Sequence, residues 1–202
     1  IINMLALTGW SSGSERELFT LEELIDVFDE KRISKGNAIF DIKKLNWINS
    51  QYLKRLSINE FVNFITPYIK EVYDISNKDK EWLQGVILLY KDQISYGQEI
   101  IELVKLFFAD DIEINEEGAS FINQNGTDIL FSTYIKELNK IDEWSVDNII
   151  LALNNTKEIT GIKGKELYMP IRIKITGQMH GPELPNTIYL FGRKKVLERL
   201  SR

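Results

Sequence analysis

At 202 residues the chain is long enough for one large or two small domains. With no cysteine and one histidine it excludes disulfides, thiolate metal sites and a multi-histidine zinc site, and the missing cysteine suits a cytoplasmic protein. The net charge of −5 excludes less, because residues 163–202 hold nine Lys/Arg against three Asp/Glu while residues 1–162 hold sixteen against twenty-seven.

In chain order the signals are helical. "IINMLALTGW" is apolar from its first residue and has no N-cap or polar lead-in, so it reads as the middle of a helix and the chain as a fragment of something longer. "TLEELIDVF" opens with a capping box between Thr20 and Glu23. "FDIKKLNWINSQYLKRL" has Asp41 as N-cap, with Leu45, Ile48, Tyr52 and Leu56 at helical spacing. "SINEFVNFITPYI" repeats the capping box with Ser57 and Glu60. "SNKDKEWLQGVILLY" follows with Ser76 as its expected cap, then "SYGQEIIELVKLFF" with its apolar residues on one face.

The acidic stretch "ADDIEINEEG" breaks this pattern and marks the expected boundary. Its glycine lies seven residues after Asp111, not at the sixth position of a calcium loop, which rules that loop out. Beyond it, "NGTDILFSTYIKELNKI" and "SVDNIILALNN" are helices, the second capped by Ser145. "MPIRIKITG" predicts a helix entered near Pro170 and stopped by Gly177. "GPELPNTIYLFG" predicts a helix with Pro182 and Pro185 in its first turn and Gly192 past its end. "RKKVLERL" closes the chain as a basic amphipathic helix. The expected fold is all-α, in two consecutive helical bundles over residues 1–110 and 111–202.

No catalytic constellation emerges. His180 has no histidine partner and no nucleophile elbow beside it. "GIKGKEL" has the spacing of no glycine-rich phosphate loop and reads as a connection whose lysines are solvated or touch a nucleic-acid backbone. No metal site is expected. What stands out is "TGQMHGPEL", residues 176–184, which holds the only histidine and has three of the four prolines in it or beside it.

The residues around that stretch carry a resemblance. "KGKELYMPIRIKITGQMHGPELPNTIYLFGRKKVLERL" is similar to the C-terminal end of bacterial-type glutamyl-tRNA synthetases. "NMLALTGWSSGSERELFTLEELIDVF" and "RISKGNAIFDIKKLNWINSQYL" are similar to the same family, in the same order. The match runs from about residue 1 to 56 and again from about 163 to 200, while the middle agrees in helical pattern and scattered residues only. "KRISKG" is also similar to the lysine loop that class I synthetases hold over ATP. It falls downstream of where the family places that loop, so it reads as a basic turn.

The resemblance implies an anticodon-binding region lying beyond a catalytic domain. It implies that the parent enzyme joins glutamate to tRNA with ATP and magnesium, and that this chain holds no cofactor itself. A monomer with tRNA as its partner, and no membrane, is expected. Arg172 matches a family arginine that contacts anticodon bases; Gly181 and Leu184 match positions beside the anticodon. Lys163, Lys165 and Lys174 are candidates for the tRNA backbone. Gln93 falls where glutamate-specific members place an arginine that reads the third anticodon base, C in glutamate tRNA and G in glutamine tRNA. Glutamine there implies acceptance of both tRNAs, unless Gln93 is only an exposed polar residue between helices. A helical protein–protein interaction module with no RNA role stays open as the alternative; it requires exposed apolar surface and salt-resistant binding, whereas the tRNA reading requires a positive stripe and steep salt sensitivity.

Overall fold

The computed structural model describes residues 1–34, 36, 39–123 and 126–202. The described residues form α1 (Ile2–Gly9), α2 (Leu21–Val27), α3 (Ile42–Arg55), α4 (Ile58–Val72), α5 (Lys80–Leu88), α6 (Glu99–Phe108), α7 (Glu116–Ile122), α8 (Thr127–Asn139), α9 (Val146–Thr160), α10 (Lys165–Thr176), α11 (Leu184–Phe191) and α12 (Arg193–Ser201), with one 3-10 turn at Glu30–Arg32. The fold is all-α, and the only extended pairing among these residues is an isolated bridge between Trp10 and Ile33. Lys35 of "KRISKG" and Asn125 of "NGTDIL" lie outside the described residues.

Helix starts follow the chemistry of their caps. The Thr20 hydroxyl accepts from the Glu23 amide while the Glu23 carboxylate accepts from the Thr20 amide. Ser57 and Glu60 repeat the exchange at the start of α4. Asp41 caps α3 and Ser145 caps α9. At α5 the cap is Asp79, not Ser76: its carboxylate takes the amides of Glu81 and Trp82 at 2.8 and 3.0 Å. Ser76 is instead turned onto Asp74, which accepts from both its amide and its hydroxyl.

The prolines sit differently from expectation. α10 begins at Lys165, five residues before Pro170, because Gly164 at φ 60 turns the chain into the helix there. Pro170 therefore lies inside α10. It leaves only the Glu166 carbonyl without its helical donor, while Leu167, Ile171, Ile173 and Ile175 are all buried. That burial outweighs one lost bond. The "IRIKI" alternation falls within this helix. Pro182 precedes α11, whose N-cap is Glu183; Pro185 occupies its first turn, as expected.

Contacts divide the chain into two compact units, Ile1–Val72 with Lys91–Ile101, and Tyr73–Tyr90 with Glu102–Arg202. The units interleave along the chain, whereas the subdomains expected from sequence are consecutive. α5 goes with the second unit because its side chains meet α11 there.

In the first unit, Trp10, Phe19 and Leu24 form a buried cluster with Ala6 and Leu7 against it. Beside it Asn3, 4% exposed, donates to the Glu17 carbonyl at 2.8 Å and accepts from the Phe19 amide at 2.6 Å and the Tyr52 hydroxyl at 2.9 Å. A buried amide so fully matched fixes the path of residues 17–19. The α1 and α2 side chains Ile2, Leu5, Leu21 and Ile25, and Phe28 just after α2, are exposed.

In the second unit, α8 packs on α9, and α10 on α7, α8, α11 and α12. Leu130, Tyr134, Leu138, Ile149, Leu167, Ile171, Ile188 and Val196 are fully buried between them. Two indoles close the far end of α11. Trp144 donates to the Tyr189 carbonyl at 3.1 Å and Trp82 to the Leu190 carbonyl at 2.7 Å. Both are last-turn carbonyls, and that of Tyr189 also accepts from the Gly192 amide at 3.1 Å.

Candidate nucleic-acid interface

The stretch 176–184 joins α10 to α11. Gly177 ends α10 in the left-handed conformation, φ 73, and its amide donates to the Ile173 carbonyl at 2.8 Å. A Cβ there would lie 2.6 Å from the Glu113 carbonyl oxygen, so glycine is needed for room as well as for φ. The Thr176 hydroxyl donates to the Arg172 carbonyl at 2.7 Å and accepts from the Gln178 amide at 3.1 Å, which holds the chain as it leaves the helix. His180 and Gly181 are exposed and Pro182 is buried.

Arg172 fastens this turn from beneath. Its Nη2 donates to the Pro182 carbonyl at 2.8 Å, and a Cβ on Gly181 would meet its Nη1 at 3.1 Å. Gly181 does not have positive φ, so its value is space for the guanidinium rather than backbone freedom. Burial lowers the Arg172 pKa, and the Tyr90 phenol raises it in part. Among the described residues no carboxylate pairs with Arg172. The structure thus brings Arg172 and Gly181 together. Leu184 begins α11 and is 4% exposed, so only its backbone borders the turn.

The basic run reads differently in three dimensions. Arg193 donates to the Ile141 carbonyl and lies over Trp144. Lys195 donates to the Ala109 carbonyl at 2.6 Å. Arg199, 3% exposed, donates to the Ile175 carbonyl at 2.6 Å and lies 4.6 Å over the Phe191 ring. Arg202 pairs with Asp111 at 2.6 Å. These cations hold the second unit together, a role the amphipathic pattern of "RKKVLERL" does not disclose. Lys163, Lys165, Lys174 and Lys194 have no ion pair among the described residues. Lys165 lies over Phe121 at 4.8 Å and Lys174 over Phe131 at 5.5 Å. They mark opposite ends of α10, about 14 Å apart at 1.5 Å per residue. Gln93 belongs to the other unit and is exposed on the turn between α5 and α6.

Among the described residues no three acidic or histidine side chains converge on a point where a metal ion could sit. No described helix is long and apolar enough to cross a membrane.

Comparison with known proteins gives this geometry a family. A family model described as anticodon binding domain matches residues 60–202. The chain is 41% identical to the glutamate–tRNA ligase of Bacillus subtilis (strain 168) over 204 residues, which cover 99% of this chain and 42% of that protein. It is 42% identical to the glutamate–tRNA ligase of Halalkalibacterium halodurans over the same shares of each. The chain therefore spans about two-fifths of the length of the curated relatives it matches. A crystal structure of a glutamate tRNA ligase from Elizabethkingia meningosepticum superposes with a TM-score of 0.87 at 24% identity, over 99% of this chain and 39% of that one, a likeness of fold.

Proposed function

The chain belongs to the anticodon-binding domain family, and from that membership and the turn at 176–184 we propose that it is the tRNA-reading part of a glutamate–tRNA ligase. The observation that carries the reading is the Arg172 guanidinium set against the exposed His180–Gly181 backbone at the foot of α11. Splayed anticodon bases are read by fixed donors in such turns. The unpaired lysines supply phosphate attraction. Ligation of glutamate with ATP and magnesium would belong to the part of such a ligase that this chain does not span, since it covers 42% of the Bacillus subtilis relative. A cytoplasmic monomer completes the reading.

Binding of a glutamate anticodon stem-loop to this chain tests it. Arg172→Ala is expected to weaken that binding by roughly 1–3 kcal/mol, the scale of a good base contact. From sequence alone its thermal stability would be left nearly unchanged. The bond to the Pro182 carbonyl alters that expectation: losing it should also lower stability by about 1 kcal/mol. Binding that is indifferent to salt and to Arg172→Ala would favour the alternative, a protein–protein module, for which the exposed apolar side chains of α1 and α2 speak.

Gln93 bears on which tRNAs are accepted. Arginine only donates, which suits the O2 and N3 acceptors of cytosine and leaves the donors of guanine unanswered; a glutamine amide donates and accepts, so it serves either base. Stem-loops differing only in the third anticodon base should bind within about 2 kcal/mol of each other, and Gln93→Arg should sharpen the preference for C. A wild-type preference for C above that range removes the case for a glutamine tRNA partner.

A further inference from the structure

α10 presents one side that its core does not use. At about 3.6 residues per turn, Lys165, Tyr168, Met169 and Arg172 fall within about 100° of arc, while the buried Leu167, Ile171, Ile173 and Ile175 point elsewhere. This side leads into the 176–184 turn, where the Arg172 guanidinium meets the Pro182 carbonyl. Tyr168 lies one helical turn earlier, about 6 Å along the axis. It is 42% exposed, and among the described residues its ring pairs with no other ring. Of the Phe, Trp and Tyr side chains described in the second unit, only Tyr168 and Tyr189 are exposed, and Tyr189 sits in the last turn of α11, away from the 176–184 stretch. Core packing therefore does not account for an aromatic at position 168. The charges on this side are of one sign. Lys165 and Arg172 have no ion pair among the described residues, and Glu166, the one carboxylate of α10, falls outside the arc.

We propose that Tyr168 is a stacking platform for one unpaired anticodon-loop base, with the RNA strand running along this side of α10 from Arg172 toward Lys165. The proposal rests on the reading of the 176–184 turn as an RNA site and adds a contact to it. An unstacked base has two flat faces as well as an edge. Arg172 supplies donors for an edge, Tyr168 a flat surface for a face, and Lys165 a cation for the phosphates between. Every base has a π-face, so the platform adds affinity with little preference among bases, and the discrimination stays with Arg172. Lys174 takes no part. Two residues past Arg172, it points to the opposite side of the helix, over Phe131.

The test combines protein variants with abasic substitutions in the loop of the glutamate anticodon stem-loop. Tyr168→Leu, apolar but without a flat face, is expected to weaken binding about five- to fiftyfold, and Tyr168→Phe to bind within about twofold of wild type. Tm should be unchanged in both, because the ring lies outside the core. An abasic residue at the stacked position should abolish the difference between Tyr168→Leu and wild type, and should do so at one loop position only. Lys165→Ala should reduce the slope of log affinity against log salt by about 0.7, while Lys174→Ala leaves it unchanged. Wild-type affinity for Tyr168→Leu, equal losses for Leu and Phe, a Tm that falls with affinity, or a difference that survives at every abasic position would each overturn the platform. Salt slopes that do not separate the two lysine variants in this direction would overturn the path of the strand. All of these leave the RNA reading standing. A wild-type chain that does not bind the stem-loop would overturn that reading first, and the proposal with it.

Discussion

Arg199→Ala is expected to destabilise the chain by about 3–5 kcal/mol, and so to lower Tm by roughly 10 °C. The residue sits in the last helix, in a run whose composition suggests a solvated basic face, yet it is 3% exposed. Its guanidinium joins the last turn of α10, through the Ile175 carbonyl, to the Ala109 carbonyl and to the Phe191 ring. Burial is the chief cause lowering its pKa, and the like charge of Arg202 adds to it. An arginine keeps its charge regardless, so the charge must be solvated by what surrounds it. Two carbonyls and a ring face do this, although Nε has no partner among the described residues. Alanine would remove the side chain's packing and leave the Ile175 carbonyl unmatched.

The competing term is the cost of burying a cation, which a well-packed apolar residue avoids. Arg199→Met weighs one against the other. It keeps most of the volume and gives up the hydrogen bonds, and should lose about half as much stability as alanine. Equal or greater stability for the methionine variant, measured by denaturant unfolding, would mean that desolvation dominates and that the bonds do not hold the helices.

Gly177→Ala carries the second large effect, about 3 kcal/mol. One part is the left-handed backbone, φ 73, at roughly 1–2 kcal/mol for a residue with a Cβ. The other is collision with the Glu113 carbonyl oxygen, 2.6 Å from the Cβ position, where backbone rather than a flexible side chain must move. Gly161 separates the two. It ends α9 with φ 71 but has nothing within 4 Å of its Cβ position. Gly161→Ala should therefore cost only the backbone part. If the two variants lose equal stability in thermal unfolding, the close approach at Gly177 has no energetic weight.

Much of the fold was legible because local chemistry decides it. Thr20 and Glu23, Asp41, Ser57 and Glu60, and Ser145 all cap the helices their spacing predicts. Gly177 ends α10 as expected. The misreadings share a cause. Ser76 is a good cap in isolation, but Asp79 three residues on offers a carboxylate to two amides. Pro170 marks a helix start by local rule, but the buried isoleucines of α10 carry the helix through it. Tertiary packing overrides local preference in both directions.

The candidate site was half legible. Arg172 and Gly181 stand out in sequence as members of one motif, and the structure puts them against each other. Their bond geometry was not legible, because the acceptor is a backbone carbonyl ten residues away. For the same reason the basic amphipathic helix at 193–202 gave no sign of the inward bonds its cations make. Arg193, Lys195 and Arg199 all bind carbonyls, which leave no mark in the sequence.

The two indoles that close α11 have an optical consequence. Trp82 and Trp144 are hydrogen-bonded to the carbonyls of its last turn, and they are half of the chain's four tryptophans. Indole emission shifts in wavelength and yield when that N–H changes partner or meets water. α11 has the 176–184 turn at one end and these two chromophores at the other, about 12 Å apart along eight residues. The second unit thus carries its own fluorophores, fixed to the helix that an occupant of the turn would touch, and needs no dye to report a shift of that helix.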